Sequence, residues 1–177
     1  MRLLIQFLVL LLLSVSSTLA DQLSDYKLES GDLIKITVFE EPDLSLDIRL
    51  SDAGTVSYPF LGELIVSGST VGQLESLITE GLRGDYLVKP SVTVSIAEYR
   101  QFYVNGEVEA PGGFAFVPGL TVRGAIALAG GFTERASKSK IYVNRVGNRT
   151  SNDSGNNILL DDAISPGDVL TVEQSFF

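Results

Sequence analysis

Tyr103-Val-Asn-Gly-Glu-Val-Glu-Ala-Pro-Gly-Gly-Phe-Ala-Phe116, running on to Thr121-Val-Arg-Gly-Ala-Ile-Ala-Leu-Ala-Gly-Gly131, decides the fold. Phe102 to Val108 reads as a strand, Pro111-Gly112-Gly113 as a tight turn and Phe114 to Phe116 as the returning strand. Thr121 then stands where a helix cap belongs, ahead of a short helix carrying Val122, Ile126 and Leu128. Gly130-Gly131 closes it. Nothing in this stretch performs covalent chemistry; its residue types build a compact β-rich binding or assembly module.

Downstream, Ser139 to Arg145 alternates as a strand, and Asn148 to Asn157 is a polar loop. Ile158 to Leu160 reads as a brief strand, and Pro166-Gly167-Asp168 turns the chain into the strand Val169 to Val172. Upstream, Leu33 to Phe39 alternates with Ile34, Ile36 and Val38 on the uniformly apolar side, fed by the turn Ser30-Gly31-Asp32. Glu41-Pro42-Asp43 breaks that strand. Leu44 to Leu50 alternates again, Asp52-Ala53-Gly54 turns, and Thr55 to Leu61 with Pro59 meets Gly62 before Leu64 to Val66. At Thr70 the period becomes helical: Thr70 and Gln73 match a capping box. Val71, Leu74, Leu77, Ile78 and Leu82 share one face, with Gly81 and Gly84 expected to end the helix. Ser91 to Ala97 is a further strand with Val92, Val94 and Ile96 inward. The whole reads as an α+β protein in two units, residues 21–98 and 99–177, after a leader at residues 1–20. The turn Ser30-Gly31-Asp32 is echoed by Pro166-Gly167-Asp168, as two similar turns that each feed an apolar strand.

The leader reading rests on Arg2, the apolar run from Leu3 to Val15, and the small residues ending at Ala20, which predict cleavage between Ala20 and Asp21. The run is shorter than the roughly 20 residues of a spanning helix. Hydrophobic residues make up 45% of the 177-residue chain and charged residues 20%, enough to bury a core without a disulfide, since cysteine is absent. The formal net charge of −9 becomes −10, from 12 basic and 22 acidic residues, once Arg2 leaves with the leader. Such a body repels phosphate backbones, so nucleic acid is not expected as a partner.

Histidine is absent too, which removes a histidine-based triad and histidine metal ligands. The acidic pairs Glu40-Glu41, Glu107-Glu109 and Asp161-Asp162 stand at turns and strand ends and read as solvated edges rather than glycosidase carboxylates. Neither Asp161-Asp162 nor Asp43 with Asp47 has the ligand density of a calcium loop. Tyr99, Phe102 and Tyr103 suggest a sugar-stacking surface, but aromatic residues also favour strands because they pack there. Gly130-Gly131 follows a helix, whereas phosphate cradles precede one. No catalytic residue, cofactor or metal is therefore expected.

Two ordered sets of motifs carry a resemblance. Tyr26-x-Leu28-x-x-Gly31-Asp32-x-Ile34-x-Ile36-x-Val38, then Gly54-x-Val56-x-x-Pro59-x-Leu61-Gly62 and the helix from Thr70, resemble the export domain of the bacterial outer-membrane polysaccharide export family. Val104-x-Gly106-x-Val108-x-x-Pro111-Gly112, Ala127-x-Ala129-Gly130-Gly131 and Pro166-Gly167-Asp168 resemble its soluble-ligand-binding β-grasp domain. The resemblance covers essentially everything after the leader. It implies a non-catalytic, ring-forming part of a translocon for capsular or exopolysaccharide, in the periplasm and associated with the outer membrane. It also implies an inner-membrane chain-length regulator, often a tyrosine kinase, as partner. Relatives are often lipoproteins, and larger ones end in an amphipathic helix that crosses the outer membrane. This chain has no cysteine and stops at Phe177, so it is expected to rely on another protein, such as an outer-membrane β-barrel, to cross. The alternative is a monomeric periplasmic module that binds a sugar or a protein.

Overall fold

The computed structural model describes residues 26–145 and 156–175. The expected leader, its cleavage position at Ala20 and Asp21, and most of the polar loop expected at Asn148–Asn157 lie outside the described residues. The described chain divides into two compact units, one of residues 26–30 with Ile34–Ile96, the other of Gly31–Leu33 with the described residues from Ala97 onward. Helices and strands in both make the fold α+β.

The first unit is built on a three-stranded sheet of order β2-β1-β5, from β1 (Leu33–Val38), β2 (Leu46–Arg49) and β5 (Val92–Glu98). Ile34, Ile36 and Val38 are buried, as a period of two demands of a strand with one covered face. A 3-10 turn at Pro42–Leu44 follows the first strand, where Pro42 prevents its continuation. Strands β3 (Thr55–Tyr58) and β4 (Gly62–Ile65) form a separate antiparallel hairpin in which Tyr58 pairs with Gly62. The buried Tyr58 hydroxyl donates to the Leu44 carbonyl at 2.8 Å, and burial raises its pKa. Helix α1 (Val71–Leu82) opens on a complete capping box: the Gln73 N–H donates to Thr70 Oγ1, and the Thr70 N–H to Gln73 Oε1. Leu74, Ile78 and Leu82 of α1 fill the core; Leu77, expected beside them, is half-exposed. Gly81 does not end the helix but lies inside it, against the hairpin. A Cβ there would stand 2.8 Å from Leu61 Cδ1, so the absent side chain is what admits Leu61.

The second unit carries a five-stranded mixed sheet, order β7-β6-β10-β8-β9. Its strands are β6 (Phe102–Gly106), β7 (Gly112–Phe114), β8 (Ala136–Asn144), β9 (Asn156–Asn157) and β10 (Val169–Gln174), with helix α2 (Val122–Leu128) between β7 and β8. The hairpin β6–β7 comes first in the chain, and the last strand inserts in the centre, parallel to β6 and antiparallel to β8. Phe102, Val104, Ile141, Leu170 and Val172 from the sheet and Val122, Ala125 and Ile126 from α2 form one core. Leu128, two residues on from Ile126 and so off the face that Val122, Ala125, Ile126 and Ala129 share, is half-exposed. Three strand expectations shift. Val108 lies past the end of β6 as an isolated bridge to Phe132, and the return strand stops at Phe114. The short strand near the C-terminal end is Asn156–Asn157 rather than Ile158 to Leu160; Ile158 is buried while Leu159 is exposed.

Candidate functional site

The residues singled out by motif assemble into hydrogen-bonded turns. In the second unit, α2 ends in a Schellman motif: the Gly131 N–H donates to the Ile126 carbonyl at 2.9 Å and the Gly130 N–H to the Ala127 carbonyl at 3.1 Å. The carbonyls of Ala129 and Gly131 then accept from the N–H groups of Ala110 and Glu109. Thus the Gly-Gly motif is bonded directly to the segment between Val108 and Pro111. Thr133 Oγ1 adds a 2.6 Å bond to Glu107 Oε2, so Glu107 is not the solvated edge its sequence position suggests. Gly112 opens β7 opposite Val104, and Pro111 is exposed on the turn before it. In the first unit the Gly54 carbonyl accepts from both Val66 and Ser67 N–H groups, tying the turn before β3 to the end of β4. Pro59, half-buried, stands in the hairpin tip that Gly62 closes.

The two echoed Gly-Asp turns prove to be more than similar. Asp32 is 0% exposed and Asp168 2%, and both belong to the second unit. Arg100 stands against each. Its backbone N–H donates to Asp32 Oδ1 at 2.9 Å, its Nη1 lies 3.6 Å from Asp32 Oδ2, and its Nε would be 2.6 Å from a Cβ on Gly167. Gly31 and Gly167 share a positive φ, +91° and +85°, which bends each chain back so that its aspartate turns inward. Asp168 also accepts the Ser165 N–H at 2.8 Å and faces Arg145 Nε at 3.7 Å, while buried Pro166 holds the turn. Arg100 and Arg145 carry no motif signature, so sequence reasoning missed both. The only hint was the pair of echoed turns, whose acids call for cations once buried.

Burial raises the Asp168 pKa; the Ser165 N–H, Arg145 and Arg100 pull it part of the way back. A folded-state pKa above the unfolded one means that Asp168 favours folding fully below about pH 3.9. That contribution is lost as pH climbs through the folded-state value. Asp168→Asn keeps an oxygen acceptor for the Ser165 N–H and removes the titration. Compared with the parent, its unfolding free energy should therefore improve steadily as pH rises from the acid side, measured by urea melts across pH.

The other expected chemistry does not come together. Phe102 is buried and stacked on Phe114, Tyr99 meets Phe116 edge-on, and Tyr103 projects from the opposite side of β6 to Phe102, so the three share no platform. Burial, and then the Asp32 carboxylate, raise the Tyr99 pKa. Asp161 pairs with Arg123 at 2.9 Å on the surface, and Asp162 accepts the Leu159 N–H. Among the described residues no three acidic side chains gather as a metal site would need, and no buried side-chain nitrogen or oxygen lacks a partner. No described helix is long and apolar enough to cross a membrane.

Comparison with known proteins covers the first motif set and the second as far as Gly131, with Pro166-Gly167-Asp168 beyond the matched residues. A family described as "Polysaccharide biosynthesis/export protein" matches residues 20–97, and the SLBB domain matches residues 101–158. The chain is similar to the exopolysaccharide production protein ExoF of Rhizobium meliloti (strain 1021), 33% identical over 111 residues, which are 59% of this chain and 26% of that one. It is 27% identical over 184 residues to the EPS I polysaccharide export outer membrane protein EpsA of Ralstonia nicotianae, covering 84% of this chain and 47% of that one. It is 29% identical over 128 residues to the polysialic acid transport protein KpsD of Escherichia coli, covering 71% and 23%. The chain spans less than half the length of each of these curated relatives.

Proposed function

We propose, for a chain that belongs to the polysaccharide export family and carries an SLBB domain behind its export domain, a non-catalytic part in moving a capsular or exopolysaccharide out of the cell. The ordered pair of domain matches carries this reading. The motif residues support it from another side: Gly31, Asp32, Gly54, Gly106, Gly130, Gly131, Gly167 and Asp168 all serve turns and buried bonds, which leaves them a structural task. The protein acts in the periplasm in association with the outer membrane, in keeping with a relative named as an outer membrane export protein. It works as a homo-oligomeric conduit, beside an inner-membrane chain-length regulator or tyrosine kinase, and a β-barrel partner completes the passage across the outer membrane.

Deletion of the gene is expected to abolish release of the surface glycan, with return on expression of the intact chain, read by quantifying cell-bound and released polysaccharide. Unchanged release would remove the export role. Light scattering after size exclusion separates a multi-copy ring from a monomeric sugar- or protein-binding module.

A further inference from the structure

Phe60 lies at the tip of the β3–β4 hairpin with φ +65°, in the left-handed region that a bulky side chain rarely adopts. Its ring stacks on Tyr86, centroids 4.8 Å apart and planes at 23°, and the Tyr86 hydroxyl reaches the Phe60 carbonyl at 3.4 Å. Both rings face solvent, 64% and 47% exposed. Core packing does not call for either. In each loop the neighbouring leucine supplies the apolar contact: Leu61 reaches the core beside Gly81, and Leu87 packs inward while its N–H donates to the Leu82 carbonyl. Backbone strain held at an exposed aromatic, with the ring braced by a second aromatic, is a feature that folding alone does not explain.

We infer that the Phe60–Tyr86 pair is a stacking surface for one sugar ring of a passing glycan, an inference that rests on the export reading above. A braced ring presents a flat, rigid apolar face at little entropic cost, and such a face suits the C–H side of a pyranose as it suits other flat partners. The surroundings favour a sugar over the rival occupants. Gly62, Glu63, Gly84 and Asp85 around the two loops are exposed, and Asp85 brings a carboxylate suited to sugar hydroxyls. With exposed Val88 the two rings make a small apolar island set among polar and glycine positions, unlike the broader apolar centre of a stable protein interface. A nucleic acid is disfavoured by the net charge of −9. Single-ring stacking is weak and tolerant of sequence, which suits a polymer that must keep moving.

The test is titration of the intact chain with cellohexaose and with a galactan oligosaccharide, following Phe60 and Tyr86 ring signals by NMR. Saturable shifts at both rings are expected with at least one probe. Phe60→Gly should weaken that binding about tenfold, while its melting temperature holds or rises, since glycine adopts this φ freely. No shift with either probe overturns the inference, as does binding that Phe60→Gly leaves unchanged. Shifts at these rings on raising protein concentration without sugar would assign the surface to a second copy instead. If gene deletion abolishes glycan release but the titrations fail, only the stacking surface falls. If deletion leaves release intact, the export reading falls, whatever the rings bind.

Discussion

Replacing Gly106 by alanine is expected to destabilise the second unit by about 4 kcal/mol, the upper end of what single substitutions do. Two effects combine. Gly106 has φ +86°, where a Cβ costs roughly 1–2 kcal/mol. That Cβ would also stand 2.0 Å from the Val172 carbonyl oxygen, which already accepts the Glu107 N–H at 3.0 Å. The obstacle is main chain, so no rotamer change relieves it. Relief requires β10 to move away from β6, and β10 is the central strand, paired on both sides. Gly112→Ala is the control: a Cβ there meets nothing within 4 Å, and the loss should stay below about 1 kcal/mol. Urea unfolding of the two variants reads the difference. Equal losses would mean that the close approach of β6 to β10 is not what Gly106 serves.

This contrast shows what was legible in the sequence. Gly106 and Gly112 stand in one motif and look equivalent there, because a local pattern marks a turn but not the strand that will lie across it. Features set within a few residues read well. The alternation of Ile34, Ile36 and Val38, the Thr70–Gln73 capping box and the Gly130-Gly131 helix end all match the structure. Boundary positions read less well: Leu77 has helical spacing, yet it lies at the margin of its core stripe. Long-range partners were not legible at all. Phe60 and Tyr86 are 26 residues apart, and Arg100 lies 68 residues from Asp32. Nothing near Arg100 in the chain distinguishes it from a solvated arginine between two strands. Only the repeated Gly-Asp turns hinted that two acids would be buried, and the position of their cation depends on how the sheet closes.

Arg100→Met should therefore be the second large effect, a loss of about 3 kcal/mol. Methionine keeps most of the volume beside Gly31 and Gly167 while removing the charge. The Asp32 carboxylate, fully buried, would keep the N–H of residue 100 but lose the guanidinium 3.6 Å away, and Asp168 would retain Arg145 on its other side. A buried acid without its cation is far more costly than a surface pair such as Lys35–Asp47, 3.9 Å apart and more than half exposed, for which mutation should change stability by less than about 1 kcal/mol. The Arg100 side chain is 17% exposed, so water screens part of the interaction and the effect stays at the lower end of the buried range. Asp32→Asn separates charge from packing, because its amide oxygen still accepts the backbone bond. Added to Arg100→Met, it should recover about 1–2 kcal/mol, giving a coupling energy well above additivity in a double-mutant cycle. Strict additivity would show that the loss at Arg100 does not run through the Asp32 charge. Recovery would show instead that the Gly-Asp turns hold together because one cation answers a buried negative charge.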